Sequence, residues 1–227
     1  MFQRNEEFEE KGFVVCPGMF SEVETDAFKQ EIAVLLQTHT HHAGVFVGLA
    51  AHSALFRELA RDSRLLDALE PILGPDIEFL SDKVVFKSAG TRAGSPWHQD
   101  WPYWYGQHKI SVWIALDPAT PENGCLKMIP GSHRKSVEHD GVAQAGEGFD
   151  RRLRPGAVDE NQAVVLQCAS GDAILFHDLT LHASFPNTSG QDRWSVISTY
   201  HNATKPDLEY TWSVAKEVVR GKGMIAR

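Results

Sequence analysis

His98 and Asp100 stand two residues apart in the run Trp97-His98-Gln99-Asp100-Trp101-Pro102-Tyr103-Trp104-Tyr105. Alternate side chains of an extended segment share a face, so the imidazole and the carboxylate point one way and Gln99 the other. A neutral imidazole nitrogen and a carboxylate oxygen placed like this can fill two adjacent positions around one metal ion. One more histidine from elsewhere makes the 2-His-1-carboxylate facial triad of non-haem Fe(II) oxygenases, which leaves positions open for a co-substrate and O2. The downstream candidates for that ligand are His108, His133, His139, His177, His182 and His201. His177 and His182 both lie in the segment Gly171 to Asn187, at the end of a buried-strand pattern, and spacing alone does not choose between them.

The chain that must bring these groups together has 227 residues, enough to bury a substantial core. Its first third reads as helical. Phe2 to Glu10 forms a short amphipathic helix and Gly12 to Cys16 a small strand, and Ser21 with Glu24 makes a capping box. That box opens a helix over Glu22 to Gln37, with Val23, Ala27, Ile32, Leu35 and Leu36 on its buried stripe. Ser53, then Asp62 or Ser63, cap helices at Ala54 to Ala60 and Arg64 to Leu73, the latter ended by Gly74-Pro75. Between them lie a polar loop with His39, His41 and His42, and a stretch from Gly44 to Ala50 of ambiguous pattern.

From Asp76 the pattern changes to short runs rich in Val, Ile, Phe and Trp. They are Ile77 to Phe86, Lys109 to Leu116, Cys125 to Ile129, Ala163 to Cys168, Ala173 to Phe176 and Trp194 to His201. Turn signals such as Pro121-Glu122-Asn123-Gly124 and Pro130-Gly131 separate them. Helices followed by many short strands predict an α+β fold: a double-stranded β-helix (jelly-roll, cupin-like) core with the N-terminal helices packed on one sheet. The expected organisation is one domain over 1–227. Residues 1–75 are mainly helical support, 76–205 the jelly-roll core, 131–162 a lid loop and 206–227 a C-terminal segment. Long connections of this kind inside compact domains are usually functional lids or are disordered.

Composition narrows the partners. Thirty acidic against 22 basic residues give a formal net charge of −8, which argues against nucleic acid and against anionic membrane and favours a small-molecule substrate. The three cysteines, Cys16, Cys125 and Cys168, have no CxxC spacing and read as reduced thiols of a cytoplasmic protein. No apolar run approaches membrane-spanning length, and a monomer or small homo-oligomer is expected.

Five motifs taken together resemble the phytanoyl-CoA dioxygenase-like family of Fe(II)/2-oxoglutarate-dependent oxygenases. They are Trp97-His98-Gln99-Asp100, Glu122-Asn123-Gly124-Cys125-Leu126, Ile129-Pro130-Gly131-Ser132-His133, Leu181-His182-Ala183-Ser184 with Asn187, and Arg193. The resemblance implies His98, Asp100 and His182 as metal ligands, which leaves His177 as a neighbour and His133 in a structural corner. It also implies Arg193, eleven residues after His182, as the clamp on the far carboxylate of 2-oxoglutarate. A guanidinium suits that task because it meets a carboxylate with two parallel charge-assisted bonds. Ser184 adds a hydroxyl there, Trp113 lines the same pocket, and a lysine on the preceding strand, Lys83 or Lys87, contributes. For the substrate wall the aromatics Trp101, Tyr103 and Trp104 are the candidates. Arg151, Arg152 and Arg154 read as a solvated cluster unless the long loop closes over the site, where they favour an anionic substrate.

The implied activity needs Fe(II), 2-oxoglutarate and O2, and yields succinate, CO2 and a hydroxylated small molecule. The carboxylate of Asp100 favours hydroxylation over halogenation, since halogenating relatives carry a small residue there. Desaturation, epimerisation and ring closure use the same site. Two readings of other classes share the fold: a metal-dependent cupin-like isomerase or hydrolase without an oxidative co-substrate, and a ligand-binding module.

Overall fold

A computed structural model describes residues 2–39, 44–90, 94–141, 151–208 and 214–223 of the chain. Its helices are α1 (Phe2–Lys11), α2 (Glu22–Thr38), α3 (Leu49–His52), α4 (Ala54–Ala60) and α5 (Ser63–Leu73). The strands are β1 (Phe13–Cys16), β2 (Val45–Val47), β3 (Ile77–Lys87), β4 (Ile110–Ala115), β5 (Leu126–Met128), β6 (Val164–Leu166), β7 (Ala173–His177), β8 (His182–Ser184), β9 (Arg193–Asn202) and β10 (Glu217–Arg220). They form two antiparallel sheets, a large one in the order β1-β7-β4-β9-β3-β10 with β2 also on β3, and a small one in the order β6-β5-β8. This is the α+β jelly-roll.

Strand alternation divides the core in two. On the large sheet Ile110, Val112 and Ile114 of β4, Leu175 of β7 and Val196 and Tyr200 of β9 face the helices, and they pack with Phe28, Ile32, Leu35, Phe56, Leu65 and Leu69. The intervening Trp113, Ala115, Ile174 and Phe176 face the small sheet and pack with Leu126, Met128 and Leu166. The barrel interior therefore belongs to one face of β3, β4 and β9, the face that carries the functional side chains.

The Ser21 capping box forms, with Glu24 reaching back. Asp62, rather than Ser63, caps α5 through the Arg64 amide, and Ser53 makes no side-chain cap. Along α2 the buried stripe is Thr25, Phe28, Ile32 and Leu35, whereas Val23 is 80% exposed. It sits in the first turn, on the side facing away from the sheet. His41 and His42 of the polar loop, residues 142–150 of the expected lid and residues 209–213 and 224–227 of the C-terminal segment lie outside the described residues. Among the described residues no helix is long and apolar enough to cross a membrane.

Candidate metal centre and co-substrate pocket

The segment Trp97 to Asp100 reaches the barrel by pairing with β8: His98 and His182 exchange backbone hydrogen bonds of 3.0 Å in both directions. The strand ends there. Asp100 has φ −78° and ψ −25°, outside the extended region, and opens a 3-10 turn over Trp101–Tyr103. Pro102 has no amide hydrogen and a fixed φ, so the ladder cannot continue through it. The expectation of extended backbone through Asp100 therefore holds only to Gln99. Asp100 still reaches the same site because the Asp178 carbonyl accepts the amides of Asp100 (2.8 Å) and Trp101 (3.1 Å).

His98, Asp100 and His182 come together, all buried. Nε2 of His98 lies 3.6 Å and Nε2 of His182 3.7 Å from Oδ1 of Asp100, and the two rings are 4.1 Å apart between centroids. Nδ1 of His98 contacts the Pro96 carbonyl at 2.8 Å, and Nδ1 of His182 contacts the Thr180 carbonyl at 2.9 Å. A carbonyl only accepts, so both Nδ1 atoms carry the proton and both Nε2 lone pairs point at the carboxylate oxygen. Burial, reinforced by the neighbouring His182, holds His98 well below the usual histidine range, in its neutral form. Two imidazole lone pairs and a carboxylate oxygen, each oriented from behind by a backbone carbonyl or a hydroxyl, fit a divalent ion. The hydroxyl is that of Ser111, 3.5 Å from Oδ2 of Asp100.

The second half of the site lies two residues further along β8. Ser184 accepts from Nζ of Lys87 at 2.9 Å, and the same ammonium donates to the Phe185 carbonyl at 2.5 Å. Lys87 is the cross-strand partner of Arg193, so both side chains leave the same face of the large sheet. Arg193 is 2% exposed, donates from Nη1 to Ser195 at 2.8 Å and lies 5.4 Å from the Trp113 ring. Its Nε is buried with no hydrogen-bond partner among the described residues. Burial pulls Arg193 down to about 10, and burial followed by the Arg193 charge pulls Lys87 down to about 8. Ser184, Trp113, Lys87 and Arg193 thus form one contiguous cluster on the inner face of the barrel. Lys83 faces the same interior from two pleat repeats away, where its charge reaches His98.

The remaining motif residues build corners. Gly124 has φ +95°, and a Cβ there would stand 2.6 Å from Cδ of Lys87, so the lysine stem passes only because the position is glycine. Ser132 accepts the amide of Leu181 at 2.9 Å and donates to the Ile129 carbonyl at 2.6 Å, which fixes the entry to β8. Asn187 donates to the carbonyls of Lys87 (2.9 Å) and Gln191 (2.7 Å), which closes the turn that delivers Arg193.

Around the mouth, Tyr103 stands edge-on to His98 at 6.5 Å. Trp101 instead stacks on His108 at 4.4 Å, and Trp104 is buried with its indole N–H donated to Asp178 at 2.9 Å. Of the three aromatics expected at the substrate wall, Trp104 is thus a packing residue, because the 3-10 turn rotates it away from the histidines. The far end of the long connection lies against the motif: the Leu153 amide donates to the Trp97 carbonyl at 3.0 Å and the Tyr103 hydroxyl to the Arg151 carbonyl at 3.3 Å. Sequence reasoning passed over Asp178, Ser111 and Gln99, whose roles depend on partners far along the chain. His177 lies outside the His98 cluster and beside Asp178.

The phytanoyl-CoA dioxygenase (PhyH) family model matches residues 8–195. The dioxygenase lolE1 of Epichloe uncinata is 29% identical over 163 residues, 70% of this chain and 60% of that protein. The L-proline trans-4-hydroxylase of Streptomyces griseoviridis is 30% identical over 168 residues, 64% and 62% of the two chains. The chain therefore spans about three fifths of the length of these curated relatives. EvdO2 of Micromonospora carbonacea var. aurantiaca, solved in complex with 2-oxoglutarate, superposes with a TM-score of 0.74 at 26% identity and covers 92% of this chain and 94% of its own.

Proposed function

Because the chain belongs to the phytanoyl-CoA dioxygenase family, we propose that it is an Fe(II)- and 2-oxoglutarate-dependent dioxygenase that hydroxylates a small organic metabolite. The observation that carries this reading is Arg193, a buried guanidinium with an unpartnered Nε and no ion pair among the described residues, in the same barrel as the His98–Asp100–His182 cluster. A buried cation of this kind is costly unless an anion completes it. His182 and Ser184 are two residues apart on β8, about 7 Å along a strand, which is the reach of a five-carbon diacid held by its oxo-acid end at the metal. The 2-oxoglutarate complex of EvdO2 and the hydroxylase and dioxygenase relatives support the same assignment.

His98, Asp100 and His182 hold the ion, Arg193 and Lys87 the distal carboxylate, Ser184 and Trp113 the flank of the pocket, and Lys83 the side nearer the ligands. When bound, iron with 2-oxoglutarate and O2 supplies the oxidising power: the co-substrate leaves as succinate and CO2, and one oxygen atom enters a C–H bond of the substrate. The protein's part is to keep His98 neutral, to orient both imidazoles through the Pro96 and Thr180 carbonyls, and to exclude water with the buried walls of both sheets. Tyr103 and the segment 151–153 form one side of the substrate chamber. The Arg151 guanidinium, bonded to the Tyr105 hydroxyl at 3.2 Å, favours an anionic metabolite.

The test is succinate formation by the purified chain under air with Fe(II) and 2-oxoglutarate, across a panel of carboxylate, phosphonate and neutral amine substrates. Turnover that needs iron, O2 and His182 supports the reading. A folded, iron-loaded chain that makes no succinate with or without substrate removes it in favour of a binding module.

A further inference from the structure

We propose that His108, His177 and Asp178 form a second divalent-cation site, separate from the His98 centre and suited to an ion such as Zn2+. The sheet brings them together: Ile110 pairs with His177, so His108, two residues before Ile110, arrives beside the end of β7. Nδ1 of His108 and Nδ1 of His177 each lie 3.0 Å from Oδ1 of Asp178, and the two rings are 4.8 Å apart. Bonds of about 2.0–2.2 Å at right to tetrahedral angles place ligand atoms about 3.0–3.5 Å from one another, as both imidazole–carboxylate pairs are here.

Two observations point to a cation rather than to a plain hydrogen-bonded cluster. The other carboxylate oxygen, Oδ2, already accepts from the Trp104 indole at 2.9 Å and the Lys109 amide at 3.1 Å, so Oδ1 alone is left for the imidazoles. Nδ1 of His177 also lies 3.1 Å from the Leu179 amide, an N–H donor aimed at it. The same nitrogen stands 3.0 Å from an oxygen of a fully buried carboxylate, so it meets a donor and an acceptor at once, and no single protonation state satisfies both. A metal ion there replaces one long amide contact by two coordinate bonds. His108 is about half exposed, which gives the ion an entry path and a position for water. The site also reaches the first centre, because the backbone carbonyl of Asp178 holds the amides of Asp100 and Trp101.

The experiment uses the full chain, stripped with chelator and titrated with Zn2+ alone, with bound metal counted by mass spectrometry and folding checked by melting. The intact chain takes two equivalents, one at each cluster. His108→Ala, at a half-exposed position, takes one; His98→Ala/His182→Ala also takes one; the triple variant takes none. A His108→Ala chain that still takes two, or a folded His98→Ala/His182→Ala chain that takes none, overturns the second site and leaves a protonated imidazole–carboxylate network in its place. An intact chain that takes one ion, lost on His108→Ala, sinks the first centre and upholds the second. The two readings therefore fail separately.

Discussion

Lys87 and Arg193 lie directly opposite one another on β3 and β9, two buried cations sharing the inner face of the barrel. Like charges so paired destabilise a sheet, and burial deepens the cost. The arrangement becomes favourable when a dianion or a carboxylate occupies the space between them.

Replacing Arg193 by Met separates the two sides of that balance. Without co-substrate the variant melts at the same temperature as the parent or higher, because a desolvated charge is removed. With co-substrate, loss of a buried charge-assisted pair of about 2–5 kcal/mol raises the 2-oxoglutarate KM about 30-fold or more, while iron affinity stays close to the parent's. Calorimetric melting and succinate kinetics measure the two effects; an unchanged KM takes Arg193 out of the pocket.

Lys87 carries a pH dependence. In the fold it titrates at about 8, against 10.5 ordinarily, so between these values the unfolded chain holds more protons than the folded one. Stability of the ligand-free protein therefore rises with pH across that window. Co-substrate affinity moves the other way, falling above pH 8 as the ammonium loses its proton. Denaturation midpoints at pH 7.5 and 9.5, compared between the parent and Lys87→Met, isolate the contribution: the parent gains stability relative to the variant at the higher pH. Equal changes in both proteins would exclude Lys87 as the source.

Part of this site was legible because some motif residues shape their own turns, even where they also reach distant partners. Gly124 is needed at a positive φ, Asn187 closes its own turn, and Pro130-Gly131-Ser132 marks a corner. What was illegible depends on contacts across the chain. β8 is three residues long, too short for periodicity, and it exists because β5 and the His98 segment flank it. Strand parity places His98 and Asp100 on one side and Gln99 on the other, as they are found, but the backbone route differs: Pro102 and the Asp178 carbonyl turn the chain at Asp100, where parity alone expects extended backbone. Choosing Lys87 over Lys83 as the partner of Arg193 required the register of β3 on β9, which no local pattern contains.

Gln99, between the two proposed ligands, points out of the barrel and pins the long connection. Its amide donates to the carbonyls of Lys135 (2.8 Å) and Leu179 (2.6 Å) and accepts from the Val137 amide at 2.9 Å, and the residue is fully buried. Gln99→Leu keeps the volume and leaves those three groups without partners, at about 1–3 kcal/mol for each that water cannot reach. A loss of about 2–4 kcal/mol is expected, a fall in Tm of about 5–15 °C, together with faster proteolysis within 131–141. A variant as stable as the parent would mean that water or the loop itself satisfies these groups.

His98 and His182 each donate Nδ1–H to a carbonyl two residues before, as His139 does to Val137, but among the described histidines only these two also turn Nε2 toward Oδ1 of Asp100. The metal assignment rests on that shared geometry, so it predicts symmetric consequences. His98→Ala and His182→Ala each remove one of three ligands and expose the carboxylate to an unbalanced site, and both lose Fe(II) binding and succinate formation. His98→Gln, with a side-chain carbonyl in place of the imidazole nitrogen, recovers some iron at reduced affinity. The absorption band of the Fe(II)–2-oxoglutarate complex, followed in an anaerobic iron titration, reports all three. If either alanine variant bound iron as the parent does, the ligand set would have to be redrawn, and Arg193 would be left clamping a co-substrate with nothing to chelate its other end.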